Sequence, residues 1–220
     1  MNCVVTAGPT YEPLDEVRRL INFSTGRLGS ELANYLVSRG HRVTLLLGQQ
    51  ATWGGEFHAQ ELVNFGTTAD LRARLQGLSG KSVEAIFHAA AVSDFTFGKI
   101  WQRLPDDSLE PVEAGKISSR IGPLFAELTP TVKIISELRS WFPRALLVGW
   151  KYELDGERAD AIAEAKEQIA SCMTDACVAN GRAYGSGFGL VTGPGKVIHL
   201  EDAGRLFVAL EEFIGQGKGT

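Results

Sequence analysis

Short apolar runs alternate with segments of helical spacing along almost the whole chain, and this alternation constrains the fold more than any other feature. The apolar runs occupy residues 3–6, 43–47, 83–89, 145–151 and 176–179. The helical segments occupy residues 26–39, 68–76, 131–141, 156–171 and 202–214. Parallel strands, which are covered on both faces, are apolar throughout. The pattern therefore predicts an α/β fold: a Rossmann-like, doubly wound, mostly parallel sheet with helices on both faces.

Capping residues and turn residues define several element ends. Ser24 or Thr25 is the expected N-cap of the first helix, and Gly40 is its expected stop. Asp155 is the expected cap of the helix over residues 156–171. Residues 187–200 are predicted to form a hairpin before the last helix.

One segment, residues 97–127, shows neither helical nor strand periodicity. A stretch of that length without regular structure inside a compact domain is usually a lid, a binding loop or an interface element. We therefore expect an irregular lid or interface segment here, within a single domain over residues 1–220.

The composition is that of an ordinary globular domain, with 44% hydrophobic and 22% charged residues. The net charge of −4, without any Lys/Arg run, argues against nucleic acid or a membrane as partner and favours small-molecule ligands. The longest apolar stretch, residues 145–150, is too short to span a bilayer, and no charged leader precedes the first strand. We expect a cytoplasmic protein whose cysteines, Cys3, Cys172 and Cys177, are core thiols.

The turn after the first strand and the segment NFSTGRLG form the first candidate site. Ligands of open α/β sheets bind beyond the carboxyl ends of the strands, and free N–H groups at a helix amino terminus favour phosphate. Ser24, Thr25 and Gly26 lie where that helix begins. The alternative is that the hydroxyl groups only cap the helix, and that Gly26 and Gly29 only allow close packing.

The second candidate is HAAAVSDF, at the end of a predicted strand. Small side chains let a ligand approach the backbone, and Asp94 is suited to a ribose, an amine or a magnesium ion. The alternative is that the three alanines fill a tight interior and that Asp94 caps a loop. His88 is expected to be a core histidine.

Two further candidates each contain a lysine. Lys116 lies in GKISS, where a cation on a closing loop would neutralise a phosphate; a solvated lysine is the alternative. Lys151 lies in VGWKYEL, and Asn180 ends the next strand, CVAN. Trp150, Lys151 and Asn180 would face a base and phosphates at the edge that parallel strands share, unless Trp150 belongs to the core.

The order of these motifs is more specific than any one of them. TAGPTYEPLDEVR, NFSTGRLG, AAAVSDF, GKISS, a helix start at Thr129-Pro130, VGWKYEL and VAN follow one another along the chain. In this order they resemble phosphopantothenoylcysteine synthetase (phosphopantothenate–cysteine ligase), in its monofunctional form, over essentially the whole chain. That family joins the carboxylate of 4′-phosphopantothenate to the amine of L-cysteine in coenzyme A biosynthesis.

The resemblance implies a two-step ligase with ATP or CTP as co-substrate and Mg2+ as cofactor. An acyl-nucleotidylate forms with loss of pyrophosphate, and cysteine then displaces the nucleotide. The resemblance also implies a homodimer. No flavin is expected, because the decarboxylase domain of the bifunctional members has no counterpart in this sequence.

The resemblance also assigns residues, position by position. The family's asparagine that contacts the acyl-nucleotidylate falls on Asn22, and its flexible-loop lysine falls on Lys116, so these two are the expected catalytic residues. The expected nucleotide and substrate contacts are Gly8, Thr10, Ser24, Thr25, Gly26, Ala89, Ala90, Asp94, Trp150, Lys151 and Asn180. Asp94 is also the expected Mg2+ ligand. The sequence does not identify the residues that hold the pantothenate phosphate.

The sequence departs from the family pattern at several positions. Ser118 and Ser119 stand where many bacterial members have further lysines, and Glu127 and Leu128 stand where basic residues are usual. Gly181 replaces an aspartate after VAN, and Pro9 removes an N–H group from the first turn. These departures leave open a diverged substrate or a weakened enzyme.

Two other functions fit parts of the sequence. A short-chain NAD(P)-dependent oxidoreductase would use AAAVSD and TGRLG, but no GxGxxG follows the first strand and no tyrosine has a lysine four residues later. A non-catalytic nucleotide-binding homologue would keep the pocket without turnover, and only the missing basic residues before Pro130, at Glu127 and Leu128, support it.

Overall fold

A computed structural model describes residues 1–193 and 195–216 of the chain. The strands are β1 (Asn2–Ala7), β2 (Tyr11–Pro13), β3 (Arg19–Ile21), β4 (Arg42–Gly48), β5 (Glu61–Phe65), β6 (Ala85–His88), β7 (Phe95–Arg103), β8 (Leu109–Pro111), β9 (Leu124–Pro130), β10 (Leu146–Tyr152), β11 (Ala176–Asn180), β12 (Phe188–Thr192) and β13 (Lys196–Leu200). The helices are α1 (Arg27–Ser38), α2 (Thr68–Gln76), α3 (Ile134–Trp141), α4 (Arg158–Cys172) and α5 (Ala203–Gln216), with a 3-10 turn at Ser119–Ile121.

Eight of the described strands form the central sheet, in the order β13-β12-β11-β10-β6-β1-β4-β5. The strands from β11 to β5 are parallel, and the β12–β13 hairpin extends the sheet in antiparallel fashion. From β1 the chain moves outward to β4 and β5 and then returns to β6 on the other side of β1. This reversal opens a crevice at the carboxyl ends of β1 and β6, which is where doubly wound sheets bind ligands.

Helices cover both faces of this sheet, because successive side chains of a strand point to opposite faces. Val5 of β1 belongs to a buried cluster with Leu32 of α1 and Leu210 of α5. The preceding residue, Val4, belongs to a second cluster on the other face, with Leu71 of α2 and part of α3. The predicted doubly wound α/β fold is therefore confirmed.

The three cysteines are buried, as predicted for core thiols. Burial raises the pKa of Cys177 to about 12, so its thiol stays protonated. Within residues 1–193 and 195–216, no helix is both long enough and apolar enough to cross a membrane.

Each predicted helix and strand is present, and α2 has the predicted bounds. The hairpin predicted over residues 187–200 corresponds to β12 and β13, with residue 194 lying outside the described residues. The sequence prediction missed β2, β3 and β5. The first two are only three residues long, and β5 is an edge strand with mostly exposed or half-buried side chains, so none of them produces an apolar run.

The helix caps differ from the predictions. The N-cap of α1 is Gly26, in the left-handed region at φ 78°, rather than Ser24 or Thr25. The N-cap of α4 is Glu157, which forms a capping box with Asp160. Asp155, the predicted cap, lies 3.1 Å from the guanidinium of Arg182 instead. Gly40 does follow α1 with a left-handed φ of 84°, as predicted.

The segment over residues 97–127 is not irregular, contrary to the prediction. Residues 95–130, called the arm below, contain a three-stranded antiparallel sheet in the order β8-β7-β9. Thr129 and Pro130 end β9 and do not start a helix, since α3 begins at Ile134. Nearly every residue of β8 and β9 is exposed and no residue of β7 is fully buried, so this three-stranded sheet has no buried face. Without a buried face there is no alternation of apolar and polar residues for the sequence to show.

Candidate functional site

Three glycines bring the amino terminus of α1 against the carboxyl end of β1. Gly8 and Gly26 have left-handed φ angles of 80° and 78°. A Cβ atom on Gly26 would lie 3.3 Å from Gly8 Cα, and one on Gly29 would lie 2.7 Å from Ala7 Cβ. Only glycine allows both this backbone conformation and this close approach.

These glycines form a dinucleotide-type turn that an insertion interrupts. Gly26 and Gly29 have the spacing of the last two glycines of GxGxxG, but the β2–β3 hairpin separates Gly8 from them. The sequence analysis gave Gly29 only the role of allowing close packing, and the approach to Ala7 agrees with that role. The first turn of α1, Arg-Leu-Gly-Ser, contains no acidic side chain, so the positive end of the helix dipole suits an anion.

Thr25 fixes the geometry of this turn. Its Oγ1 accepts a hydrogen bond from the N–H of Arg27 at 3.3 Å, and its carbonyl accepts from the N–H groups of Thr52 and Trp53 at 3.1 and 3.0 Å. Ser24, half-buried, precedes it. Both hydroxyl residues thus lie at the turn where the sequence predicted phosphate contacts.

His88 is a buried structural histidine, as predicted. Its Nδ1 lies 3.0 Å from the Thr6 Oγ1, which also accepts from the N–H of Ala90 at 3.1 Å. Burial lowers the pKa of His88 to about 4, so the ring is neutral, and its Nδ1 shares one hydrogen bond with the Thr6 hydroxyl. Through Thr6, the end of β1 holds the loop that follows β6.

Thr10 is fully buried, and its side chain also holds the loop that follows β6. Its Oγ1 accepts from the N–H of Ser93 at 2.8 Å and lies 3.2 Å from the Thr68 Oγ1. Glu12, buried beside it, accepts from the N–H of Thr68 and from the Thr96 hydroxyl, both at 3.0 Å. The structure therefore gives Thr10 a scaffold position. The sequence analysis missed Glu12, whose partners lie far away along the chain.

Asn22 joins the first two predicted motifs in space. Its Nδ2 donates to the carbonyl of Val92 at 3.1 Å and contacts that of Ala91 at 3.5 Å. The N–H of Ala91 in turn donates to the Gly8 carbonyl at 3.0 Å. Asn22 therefore lies in the crevice between β1 and β6, next to the loop that begins with Ala89 and Ala90.

Asp94 is exposed in this loop, and its carbonyl accepts from the N–H of Thr131 at 2.9 Å. Among the described residues, no group of three or more His, Cys, Asp and Glu side chains is placed to hold a metal ion. The described residues therefore offer no metal site made of protein side chains alone. A single carboxylate still fits Mg2+ bound mainly by nucleotide phosphates and water, which is how proteins usually hold that ion.

Lys116 is exposed in the arm, between β8 and the 3-10 turn. The neighbouring Gly115 carbonyl accepts from the N–H of Glu16 at 2.9 Å, in the turn between β2 and β3. The loop that carries Lys116 therefore lies against the same hairpin that leads into Asn22. The β2–β3 hairpin therefore links the two predicted catalytic residues: it contacts the loop of Lys116, and the chain runs from it directly into Asn22.

Trp150 and Asn180 lie on the α1/α5 face of the sheet, on neighbouring strands. Trp150 packs against the same buried cluster as Val178, and Asn180 follows Val178 by two residues, which places it on the same face. The Trp150 Nε1 and the Asn180 Oδ1 are buried and have no hydrogen-bond partner among the described residues. Unpaired buried polar atoms are costly, so one donor and one acceptor are available here for a ligand.

Lys151 is separated from these two residues. Its Nζ lies 3.2 Å from the Glu164 Oε2 of α4 and 3.7 Å from the Glu153 Oε1, on the opposite face from Trp150. Burial by itself lowers the pKa of Lys151, but these carboxylates outweigh burial and raise it. Lys151 is thus a paired cation, and the structure does not bring it together with the other predicted nucleotide contacts.

Comparisons with known proteins support one family. The family described as DNA/pantothenate metabolism flavoprotein C-terminal domain matches residues 1–206. The coenzyme A biosynthesis bifunctional protein CoaBC of Thermococcus kodakarensis is 31% identical over 185 residues, which cover 83% of this chain and 42% of that protein. The chain thus spans less than half the length of this relative.

Two solved structures have the same fold. A DNA/pantothenate metabolism flavoprotein from Streptococcus pneumoniae has a TM-score of 0.83 at 24% identity, over 98% of this chain and 99% of that one. A Cab2 mutant in complex with phosphopantothenate-cysteine has a TM-score of 0.73 at 16% identity, over 100% of this chain and 89% of that one. These two structures show the fold, and the family model that matches residues 1–206 confirms the family resemblance predicted from the motif order.

Proposed function

Because this chain belongs to the DNA/pantothenate metabolism flavoprotein C-terminal domain family, we propose that it is a phosphopantothenate–cysteine ligase of coenzyme A biosynthesis. One observation carries the proposal more than any other: Asn22 and the glycine turn of α1 meet the loop after β6 in one crevice. The Lys116 loop lies on the hairpin that delivers Asn22 to that crevice. The substrates are 4′-phosphopantothenate, L-cysteine and a nucleoside triphosphate.

In the first step, a carboxylate oxygen of 4′-phosphopantothenate attacks the α-phosphorus of the nucleotide. An oxygen–phosphorus bond forms, and the bond to pyrophosphate breaks. Negative charge accumulates on the phosphate oxygens, so a site needs cations and N–H groups around them. The amino terminus of α1 and the Lys116 ammonium supply these groups, and Asp94 would hold a Mg2+ ion, which would add positive charge beside the phosphates.

In the second step, the cysteine amine attacks the acyl carbon of the acyl-nucleotidylate. The amide bond forms, the carbon–oxygen bond to the nucleoside monophosphate breaks, and the nitrogen loses a proton. Asn22 holds the intermediate in place for this attack, with its side chain fixed by the Val92 carbonyl. Holding two reactants in the correct geometry lowers the barrier by removing the entropy of bringing them together.

The nucleotide is ATP or CTP, and its base lies over Trp150 and Asn180. The unpaired Trp150 Nε1 and Asn180 Oδ1 match the acceptor and donor groups of a nucleobase edge. Lys151 lies on the opposite face, where it pairs with Glu164, so it is not proposed as a phosphate contact.

A homodimer is the proposed assembly, with the arm as its interface. Leu109, Phe125 and Leu128 of the arm are 52%, 40% and 49% exposed. A thin sheet with apolar side chains and no buried face gains stability when a second copy covers it. The exposed arm strands thus serve as an interface, and the adjoining Lys116 loop as a lid.

Pyrophosphate release tests the proposal. Purified protein is assayed with Mg2+, 4′-phosphopantothenate and L-cysteine, separately with ATP and CTP, and with each substrate omitted in turn. Turnover is expected to require every substrate and to fall at least about 100-fold in Lys116→Gln and Asn22→Asp. Lys81→Gln is the matched control, because Lys81 is exposed and precedes β6 at the opposite end of the sheet.

The outcomes separate the candidate functions. Release that needs all substrates and persists in the Lys81 variant establishes the ligase and identifies its nucleotide. Nucleotide binding without any pyrophosphate release would instead support the non-catalytic homologue. Oxidation of NAD(P)H by the protein would point to the oxidoreductase.

A further inference from the structure

We propose that Asp15 and Arg18 form a latch that holds the Lys116 loop in place by its backbone, and that both act as positioning residues for Lys116. The proposal rests on the ligase function above only for its effect on turnover. The latch itself is a structural statement that is measured without substrates.

The latch forms hydrogen bonds to both backbone polar groups of one residue, Ile117. The Asp15 Oδ2 accepts the Ile117 N–H at 3.2 Å, and the Arg18 Nη2 donates to the Ile117 carbonyl at 2.8 Å. The Arg18 Nη1 also lies 3.3 Å from the Asp15 Oδ2. Hydrogen bonds to charged groups are roughly twice as strong as neutral ones, so this pair holds the loop more firmly than two ordinary contacts.

Asp15 is fixed in its own turn before it contacts the loop. Its Oδ1 accepts the N–H groups of Val17 and Arg18 at 2.9 and 2.7 Å, and its side chain is fully buried. Burial alone raises the pKa of Asp15, but the three backbone N–H donors and the charge of Arg18 outweigh burial and lower it. The carboxylate is therefore ionised and oriented when the loop docks.

The side chains around Ile117 show what the latch achieves. Ile117 is buried, with 2% exposure, whereas Lys116 before it and Ser118 after it are exposed. The backbone of Ile117 is thus held by hydrogen bonds, while the side chain of Lys116, one residue earlier, is exposed. The same hairpin continues through β3 into Asn22, so one rigid element sets the positions of both proposed catalytic residues.

Amide hydrogen exchange of the protein without substrates tests the latch directly. In Asp15→Asn the amide oxygen still caps the turn, but an NH2 group faces the Ile117 N–H and no longer accepts from it. We expect exchange at Ile117 to accelerate about 10- to 100-fold. Asp155→Asn, which removes a charge from another Asp–Arg pair at 3.1 Å, is the matched control and should leave Ile117 unchanged.

Steady-state kinetics tests whether the latch acts through Lys116. Asp15→Asn is expected to lower kcat about 10-fold or more with little change in the KM for the nucleotide, because Lys116 is misplaced in the transition state. In the Lys116→Gln background, the same substitution should change kcat by less than about twofold. A merely structural role of Asp15 would lower activity equally in both backgrounds.

A second variant covers the case in which Asp15→Asn does not fold. Arg18→Lys keeps the positive charge but loses the second nitrogen that reaches the Ile117 carbonyl, and it should show both effects in smaller size. Unchanged exchange at Ile117 in the folded variants would overturn the latch. Faster exchange in a protein without ligase turnover would support the latch and refute the proposed function, so the two failures are distinguishable.

Discussion

Lowering the pH from 7 to 5 is expected to destabilise this protein through His88. The ring is buried on β6, and burial lowers its pKa to about 4 from an ordinary value of 6.5. In the unfolded chain the imidazole regains its ordinary pKa, so the unfolded state binds the proton first as the pH falls. The stability that comes from the neutral ring is present above about pH 6.5 and is lost as the pH falls towards about 4.

The size of the effect follows from the two pKa values. At pH 5 the unfolded state is favoured by about 2 kcal/mol more than at pH 7, because its imidazole is almost fully protonated while the folded one is not. Urea unfolding at both pH values measures this difference for the wild-type protein and for His88→Asn. The variant cannot titrate, so its pH-dependent loss should be smaller by about 2 kcal/mol. Equal losses in both proteins would refute the assigned protonation state.

Two further predictions concern packing and ion pairing. Gly26→Ala should cost about 2–4 kcal/mol and weaken nucleotide binding, because a Cβ there combines a left-handed φ with contacts of 3.0 Å to Ala51. Gly40→Ala, with a φ of 84° but nothing within 4 Å of the added Cβ, is its control and should cost about 1 kcal/mol in urea unfolding. Asp175→Asn should lower the free energy of unfolding by about 1–3 kcal/mol, because the Asp175 Oδ2 accepts from both Arg139 and the Leu147 N–H at 2.7 Å. An unchanged Tm for this variant would contradict that role.

Several features of the site were accessible from the sequence. The glycines at positions 8 and 26, the position of Thr25 in the turn before α1 and the core position of His88 all agree with local pattern and turn chemistry. The opposite orientations of Trp150 and Lys151 were also accessible, because neighbouring residues of one strand point to opposite faces. The sequence analysis grouped them through their shared strand end and overlooked that alternation.

Other features depend on contacts between distant parts of the chain. Thr10 is a scaffold residue because Ser93 and Thr68 reach it, and Lys116 is positioned because Asp15 bonds to a residue 102 positions away. No periodicity encodes such pairs, since each hydrogen bond needs only one donor and one acceptor brought together by the fold. The three strands of the arm were not predicted, because a sheet without a buried face shows no hydrophobic alternation in its sequence.

The sequence by itself determined the order of strands and helices, and through it the doubly wound sheet. Periodic burial of apolar side chains is a local property, and right-handed crossovers leave few ways to arrange such an alternation. The tertiary structure alone decided how the interrupted glycine turn closes and which face each polar side chain of the site occupies. It also decided that the Lys116 loop is held by a hairpin that precedes it by about 100 residues in the chain. These outcomes depend on the close approach of segments far apart in the chain, which no local pattern of residues encodes.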